Sequence, residues 1–66
     1  MAKEFDIEVV NGIGVATMRP KTQSGADAME AVRGQMAEVG RPHHIPAGVV
    51  EKVVKSLESL GIKVKL

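Results

Sequence analysis

The pattern of apolar and polar side chains is clearest between residues 49 and 60. On a helical wheel the apolar positions there fall within an arc of roughly 140°, and polar residues fill the rest. These apolar positions are Val49, Val50, Val53, Val54, Leu57 and Leu60. The period predicts an amphipathic helix over about 46–60, with Pro46 in its first turn and Gly61 after its end. Ile62, Val64 and Leu66 then alternate with lysines, which predicts a strand over about 62–66.

Alternation with a period of two marks the start of the chain. Phe5, Ile7 and Val9 alternate with other residues, which predicts a strand over about 4–10. The dipeptide Asn11-Gly12 predicts a tight turn, because both of its positions tolerate positive φ, and a return strand over about 13–19. This turn sets the expected register. The inward pairs would be Phe5 with Met18, Ile7 with Ala16 and Val9 with Gly14, and the outward face would pair Glu4 with Arg19.

A weaker helical pattern follows between residues 24 and 39. Ser24 is a favourable N-cap residue, and Asp27 suits the first turn. The larger apolar residues of this segment share one arc of about 80°. They are Met29, Val32, Met36 and Val39. We therefore expect a helix over about 24–39 that contains Gly34 and ends at Gly40, followed by a loop over residues 41–45.

Together these elements predict a single small α+β domain over residues 1–66, in the order β-β-α-α-β. The N-terminal hairpin and the C-terminal strand would form one small sheet, with two helices packed on one face. The last strand would lie antiparallel to the second strand or parallel to the first. Lys63 and Lys65 would then point to solvent.

Composition narrows the functional classes. The 66-residue chain has no cysteine and one aromatic residue, so neither disulfides nor thiolate metal sites can stabilise it. A domain of this size buries only about 60% of the surface of its unfolded chain, which favours an efficient core or self-association. The net charge of +1 is not that of a protein held to nucleic acid by bulk charge. No apolar stretch approaches the ~20 residues of a membrane span, and the N-terminal residues show no secretory signal. We expect a cytoplasmic protein with no membrane contact.

One segment suggests an anion or phosphate site. Two cations and two hydroxyl groups precede or begin the first predicted helix, whose N-terminal N–H groups attract anions. The candidate residues are Arg19, Lys21, Thr22, Ser24 and Gly25. The alternative interpretation is a proline turn followed by a serine cap, because the segment lacks the glycine spacing of a phosphate-binding loop.

The remaining chemistry of the chain is sparse. His43 and His44 are the only histidines, and three interpretations stay open: a metal ligand pair, a pH-responsive contact or plain loop residues. We expect no metal site and no cofactor, because metal ions need several converging ligands. No set of nucleophile, base and orienting acid can be identified. The sequence therefore predicts no catalytic residues and a protein that is not an enzyme.

Apolar residues left over on the outer face suggest a protein-binding patch. Near the predicted hairpin tip they would meet basic residues of the 41–45 loop. The candidate patch is Val10, Ile13, Val15, Arg41, His43 and His44; the alternative is scattered surface apolar residues. We expect a small interaction or regulatory protein that acts through protein–protein contacts, as a homodimer.

Two partial resemblances accompany this interpretation. The order strand, helix, glycine turn, helix is similar to that of the ribbon-helix-helix repressors. The ribbon would be residues 15–19, and the implied alternative function is a DNA-binding regulator. The segment VVNGIGVATMRPK at residues 9–21 looks like the opening hairpin of crotonase-fold enzymes. That resemblance implies a hairpin, but no function follows, since the family's oxyanion-hole segments and acyl-CoA pocket need far more chain.

Overall fold

The computed structural model describes residues 5–66, and it divides them into four strands, two helices and a short 3₁₀ turn. The predicted strand position at residue 4 and the pairing of Glu4 with Arg19 involve a residue outside this range. The strands are β1 (Ile7–Asn11), β2 (Val15–Pro20), β3 (His43–Pro46) and β4 (Val64–Lys65). The helices are α1 (Gln23–Arg33) and α2 (Val50–Ser59), and the 3₁₀ turn at Ala47–Val49 leads into α2.

All four strands form one sheet in the order β3-β2-β1-β4. β2 is antiparallel to both β1 and β3, whereas β4 is parallel to β1. Both helices cover the same face, where their apolar sides and the inward residues of the strands form the core. The core residues are Ile7, Val9, Ala16, Met18, Ala26, Ala28, Met29, Ala37, Ile45, Val53, Val54, Leu57 and Ile62. The predicted α+β class is therefore confirmed, and the predicted elements occur in the predicted order.

The hairpin turn lies two residues later than the sequence suggests. Ile13 and Gly14 form its tip, where Gly14 adopts a left-handed φ of 76° and the Gly12 N–H donates to the Val15 carbonyl at 2.9 Å. Moving the turn by two residues shifts the register by four, so Val9 pairs with Met18 rather than Gly14. The predicted Asn11-Gly12 turn and its register are thus wrong. Within β1 and β2 the predicted faces are retained, because an even shift leaves each side chain on the same side of a strand. Phe5, which was predicted to point inward, lies before β1 and outside the core, and the Lys65 Nζ is 5.1 Å from the centroid of its ring.

Helix α1 is shorter than predicted and begins with a different cap. It ends at Arg33, because Gly34 takes a left-handed φ of 71° and donates its N–H to the Glu30 carbonyl at 2.8 Å. This is a common helix C-terminal geometry that glycine adopts without strain. Met36 is therefore 71% exposed instead of belonging to an apolar helix stripe. The N-cap is Thr22, not Ser24.

Strand β3 occupies part of the segment that the sequence predicts as a loop. Two backbone hydrogen bonds border it, from the Gly40 N–H to the Pro20 carbonyl at 2.8 Å and from the Ala47 N–H to the Gly14 carbonyl at 3.1 Å. Between them Ile45 pairs with Ala16 and is fully buried. Pro42 precedes this strand and Pro46 ends it. The sequence pattern therefore does not predict a strand here, because proline is unfavourable in most strand positions.

Candidate functional site

The candidate site is the face of the sheet that no helix covers. Side chains alternate between the two faces of a strand, and most inward positions of β1, β2 and β3 are buried beneath the helices, except that Asn11 is exposed and His43 is half-buried. The residues between them point the other way. We call this surface the open face, and it consists of Glu8, Val10, Val15, Thr17, Arg19, His44, Pro46 and Lys65.

The open face changes character along the strands. Near the hairpin tip it is apolar: Val10 is 58% exposed, and Ile13 at the tip is wholly exposed. At the opposite end of the strands it is charged. There Glu8 pairs across the strands with Arg19, and the Lys21 Nζ lies 3.7 Å from the Glu8 Oε1. The face therefore offers an apolar region and a charged region side by side.

The structure brings together part of the predicted protein-binding patch. Val10, Val15 and His44 share the open face, and Ile13 lies at the hairpin tip beside them. The His44 Nδ1 is 3.4 Å from the Thr17 Oγ1. His43 does not join them, because it pairs with Met18 and points to the helix side of the sheet. Arg41 is exposed ahead of β3.

His43 occupies an unusual position at the sheet margin. Within residues 5–66 its Nε2 is a buried polar side-chain atom without a hydrogen-bond partner. Burial lowers the pKa of His43 below its usual 6.5, and the positive charges of Arg41 and Arg33 and the neighbouring His44 lower it further. The folded chain therefore favours the neutral imidazole. His43 and His44 point to opposite faces, so the adjacent pair cannot converge on one ligand.

The predicted anion site coincides with a structural junction. The Thr22 Oγ1 accepts the Gly25 N–H at 3.0 Å and donates to the Asp6 Oδ1 at 2.8 Å. The Asp6 Oδ2 in turn accepts the Lys63 N–H at 3.1 Å. Asp6 thereby connects the start of α1 to the segment before β4. The hydrogen bond from Lys63, followed by that from Thr22, lowers the pKa of Asp6 below 3.8.

The candidate anion-binding residues do not converge at the start of α1. Arg19 lies on the open face, and Lys21 is paired with Glu8. Ser24 is exposed, while Gly25 is buried with its N–H already bonded to Thr22. Phosphate binding at this position stays a prediction that the geometry does not favour. The role of Asp6 is not predictable from local sequence, because it depends on contacts with Thr22 and Lys63, which are distant in the chain.

A shallow groove lies on the helix side of the molecule, between α2 and the end of β1. Its volume is about 540 Å³. The lining residues are Asn11, Ala47, Val50, Glu51, Val54, Lys55, Glu58 and Leu66. Among the described residues no group of three or more His, Asp or Glu side chains could hold a metal ion. The groove therefore offers an apolar floor with a charged rim, but no recognisable constellation for catalysis.

Comparison with known proteins finds no family model, no curated protein and no solved structure that matches this chain. None of the helices within residues 5–66 combines the length and apolar character needed to cross a membrane. The open face and its surroundings are therefore the features of the molecule that can indicate its function.

Proposed function

We propose that this chain is a small non-enzymatic interaction protein with a regulatory role, which acts through protein–protein contacts as a homodimer. The open face is the observation that supports this proposal. A solvated face of an antiparallel sheet normally carries polar residues between the buried ones. Here Val10 and Val15 break that rule beside the exposed Ile13. Apolar residues bordered by polar and charged ones are the usual composition of an interaction surface.

The small core supports self-association. It contains no aromatic residue and is assembled from alanine, valine, isoleucine, leucine and methionine. A chain of 66 residues buries only about 60% of its unfolded surface when it folds alone, which is less than a larger domain buries. Association with a second copy would remove more apolar surface from water and so stabilise the fold. The cytoplasmic location remains part of this proposal.

A DNA-binding regulator is the second candidate. The observation in its favour is that Arg19 and Lys65 lie on the open face, with Lys21 immediately after β2. The mode of the ribbon-helix-helix repressors is not open to this chain, because β2 already pairs with β1 and β3 and cannot form a ribbon with a second copy. Contacts to phosphate groups would have to come from the open face itself, and their affinity would fall steeply with salt.

Two exposed apolar residues provide a matched test. Val10 on the open face is 58% exposed, and Leu60 beyond the end of α2 is 57% exposed. We expect Val10→Lys to shift the protein from dimer to monomer in sedimentation velocity, because a buried lysine at an interface must lose its hydration. Leu60→Lys should sediment like the wild type.

Two results would contradict the proposal. A wild-type chain that remains monomeric up to millimolar concentration would refute the homodimer. Equal effects of Val10→Lys and Leu60→Lys would refute the open face as the interface. Circular dichroism of each variant, compared with the wild type, separates loss of association from loss of folding.

A further inference from the structure

The central strands β1 and β2 carry opposite charges on the open face, and Lys65 of the edge strand β4 lies beside Glu8. β1 contributes Glu8, and β2 contributes Arg19, with Lys21 immediately beyond it. Glu8 and Arg19 are directly opposite each other in the register, so their strands are about 4.8 Å apart. Lys21 approaches the same carboxylate at 3.7 Å. An acidic strand therefore lies beside a basic one.

A two-fold interface must be complementary to itself. If the axis runs along the strands between β1 and β2, β1 of one copy lies over β2 of the other. Glu8 then faces the second copy's Arg19, and the same contact is repeated on the other side of the axis. The apolar end of each face meets the apolar end of its mate. An axis across the strands would instead set the apolar end against the charged end.

The edges of the sheet are poorly suited to pairing with a second copy. The Ala47 N–H points toward β2, where it donates to the Gly14 carbonyl. The direction of the backbone N–H and C=O groups alternates along an antiparallel strand. The backbone groups at positions 42, 44 and 46 therefore point away from β2. Pro42 and Pro46 have no N–H, so of these three described positions His44 alone offers a backbone donor at this edge. Prolines at such positions block edge-to-edge extension, and β4 has only two residues.

The dimensions of the molecule are compatible with contact through one face. A standard interface buries about 800 Å² on each partner, which is roughly a fifth of the 4325 Å² accessible surface of this chain. One broad side of a molecule measuring 33 × 23 × 20 Å can supply that area. The exposed faces of α1 and α2 are polar, so the open face is the better candidate.

From these observations we infer that two copies of the chain associate open face to open face, about a two-fold axis that runs along the strands between β1 and β2. Glu8 of each copy forms an ion pair with Arg19 of the other. This inference rests on the homodimer of the proposed function and adds its orientation. The contact is partly charged, so the dimer dissociates further at high salt.

A charge exchange tests this orientation. Glu8→Arg or Arg19→Glu alone places like charges opposite each other on both sides of the axis, and each should raise the dimer dissociation constant at least ~10-fold. The combined exchange restores opposite charges and should return the constant to within ~3-fold of the wild type. Analytical ultracentrifugation over a concentration series, at low and high salt, measures these constants.

Glu51→Arg is the matched control. Glu51 also belongs to an exposed ion pair, with Lys55 at 3.4 Å, and its reversal changes the net charge of the chain as Glu8→Arg does. It lies on α2, away from the open face, so its dimer should match that of the wild type. A control that weakens the dimer as much as Glu8→Arg would overturn the inference, because overall charge alone would then explain the effect.

The outcomes separate the orientation from the proposed function. Suppose that Val10→Lys dissociates the dimer, but that the combined exchange does not recover the affinity lost in the single reversals. The open face would then still be the interface, and the axis between β1 and β2 would be wrong. If the wild type is monomeric at every concentration, both proposals fail. A monomer that binds duplex DNA with a steep salt dependence would assign the face to nucleic acid, and would also overturn the inference.

Discussion

Among the glycines of the chain, Gly25 has the least room for an added methyl group. It is buried in the first turn of α1, directly above the start of β1. A Cβ at this position would collide with the Asp6 carbonyl oxygen and would lie 3.1 Å from the Ile7 Cγ1. The closer obstacle is backbone and cannot rotate away, so Gly25→Ala must push α1 away from the sheet.

The size of the effect follows from opposing terms. Alanine favours a helix over glycine by about 1 kcal/mol. Against this, overpacking of a tight contact costs about 1–3 kcal/mol. The displacement also strains the hydrogen bonds from the Lys21 N–H to the Asp6 carbonyl at 2.7 Å and from Thr22 to Asp6 at 2.8 Å, each of which contributes about 0.5–1.5 kcal/mol. We expect Gly25→Ala to lower the free energy of unfolding by about 2–3 kcal/mol.

Urea denaturation followed by far-UV circular dichroism measures this difference, since the chain has no tryptophan or tyrosine to report by fluorescence. The matched control is Gly48→Ala in the 3₁₀ turn before α2. A Cβ there meets nothing within 4 Å, and we expect a gain of about 0.4–1 kcal/mol from reduced freedom of the unfolded chain. All variants should be compared at one low protein concentration, because dimerisation would add to the apparent stability.

A neutral or stabilising Gly25→Ala would refute this reasoning. It would mean that α1 does not approach β1 closely at Asp6, or that the junction yields without loss of its hydrogen bonds. If Gly25→Ala and Gly48→Ala both raised the urea midpoint, the preference for alanine over glycine rather than the close approach would dominate at both positions.

Two further substitutions test the polar contacts. Asp6→Ala removes the acceptor for Thr22 and Lys63, and thermal melting should show a loss of about 2 kcal/mol. Because these hydrogen bonds lower the pKa of Asp6 below 3.8, their contribution is complete above that pH and is lost as the pH falls through the folded pKa. At acid pH the melting temperature of Asp6→Ala should therefore change less with pH than that of the wild type. Identical pH profiles would contradict the structural junction at Asp6. The pKa of His43 is also lowered in the folded chain, so the unfolded chain binds a proton first and stability should fall as the pH drops below 6.5. Melting temperatures between about pH 8 and pH 5 should vary less in His43→Gln than in the wild type; a flat wild-type profile would contradict this prediction.

Local periodicity predicted the inward sides of β1, β2 and the middle of α2, whereas Leu60 of the predicted α2 stripe and Met36 and Val39 of the predicted α1 stripe are exposed. The stripe of α2 is buried through Val53, Val54 and Leu57, as expected. Ile7, Val9 and Met18 point inward even though their predicted pairing was wrong. The period of a helix or strand belongs to neighbouring residues, so the sequence alone determines these faces. The same reasoning places Val10 and Val15 on the outside.

The position of the turn, the fourth strand and the ends of α1 depended on contacts between distant residues. The hairpin closes at Ile13-Gly14 with a register that sets Ile7 opposite Pro20, although Asn11-Gly12 is the stronger local signal. β3 forms because β2 offers hydrogen-bonding groups on its other side, which no local pattern within residues 43–46 reveals.

Some features of the candidate site were likewise determined by the sequence, and others by the tertiary structure. The sequence determined that Val10, Ile13 and Val15 lie near one another at one end of the hairpin. Only the tertiary structure decided that His44 joins them while His43 turns toward the helices, and that Glu8 lies opposite Arg19. The physical reason is that side-chain direction repeats along a strand, whereas the choice of neighbouring strand and register depends on the free energy of the whole packed sheet.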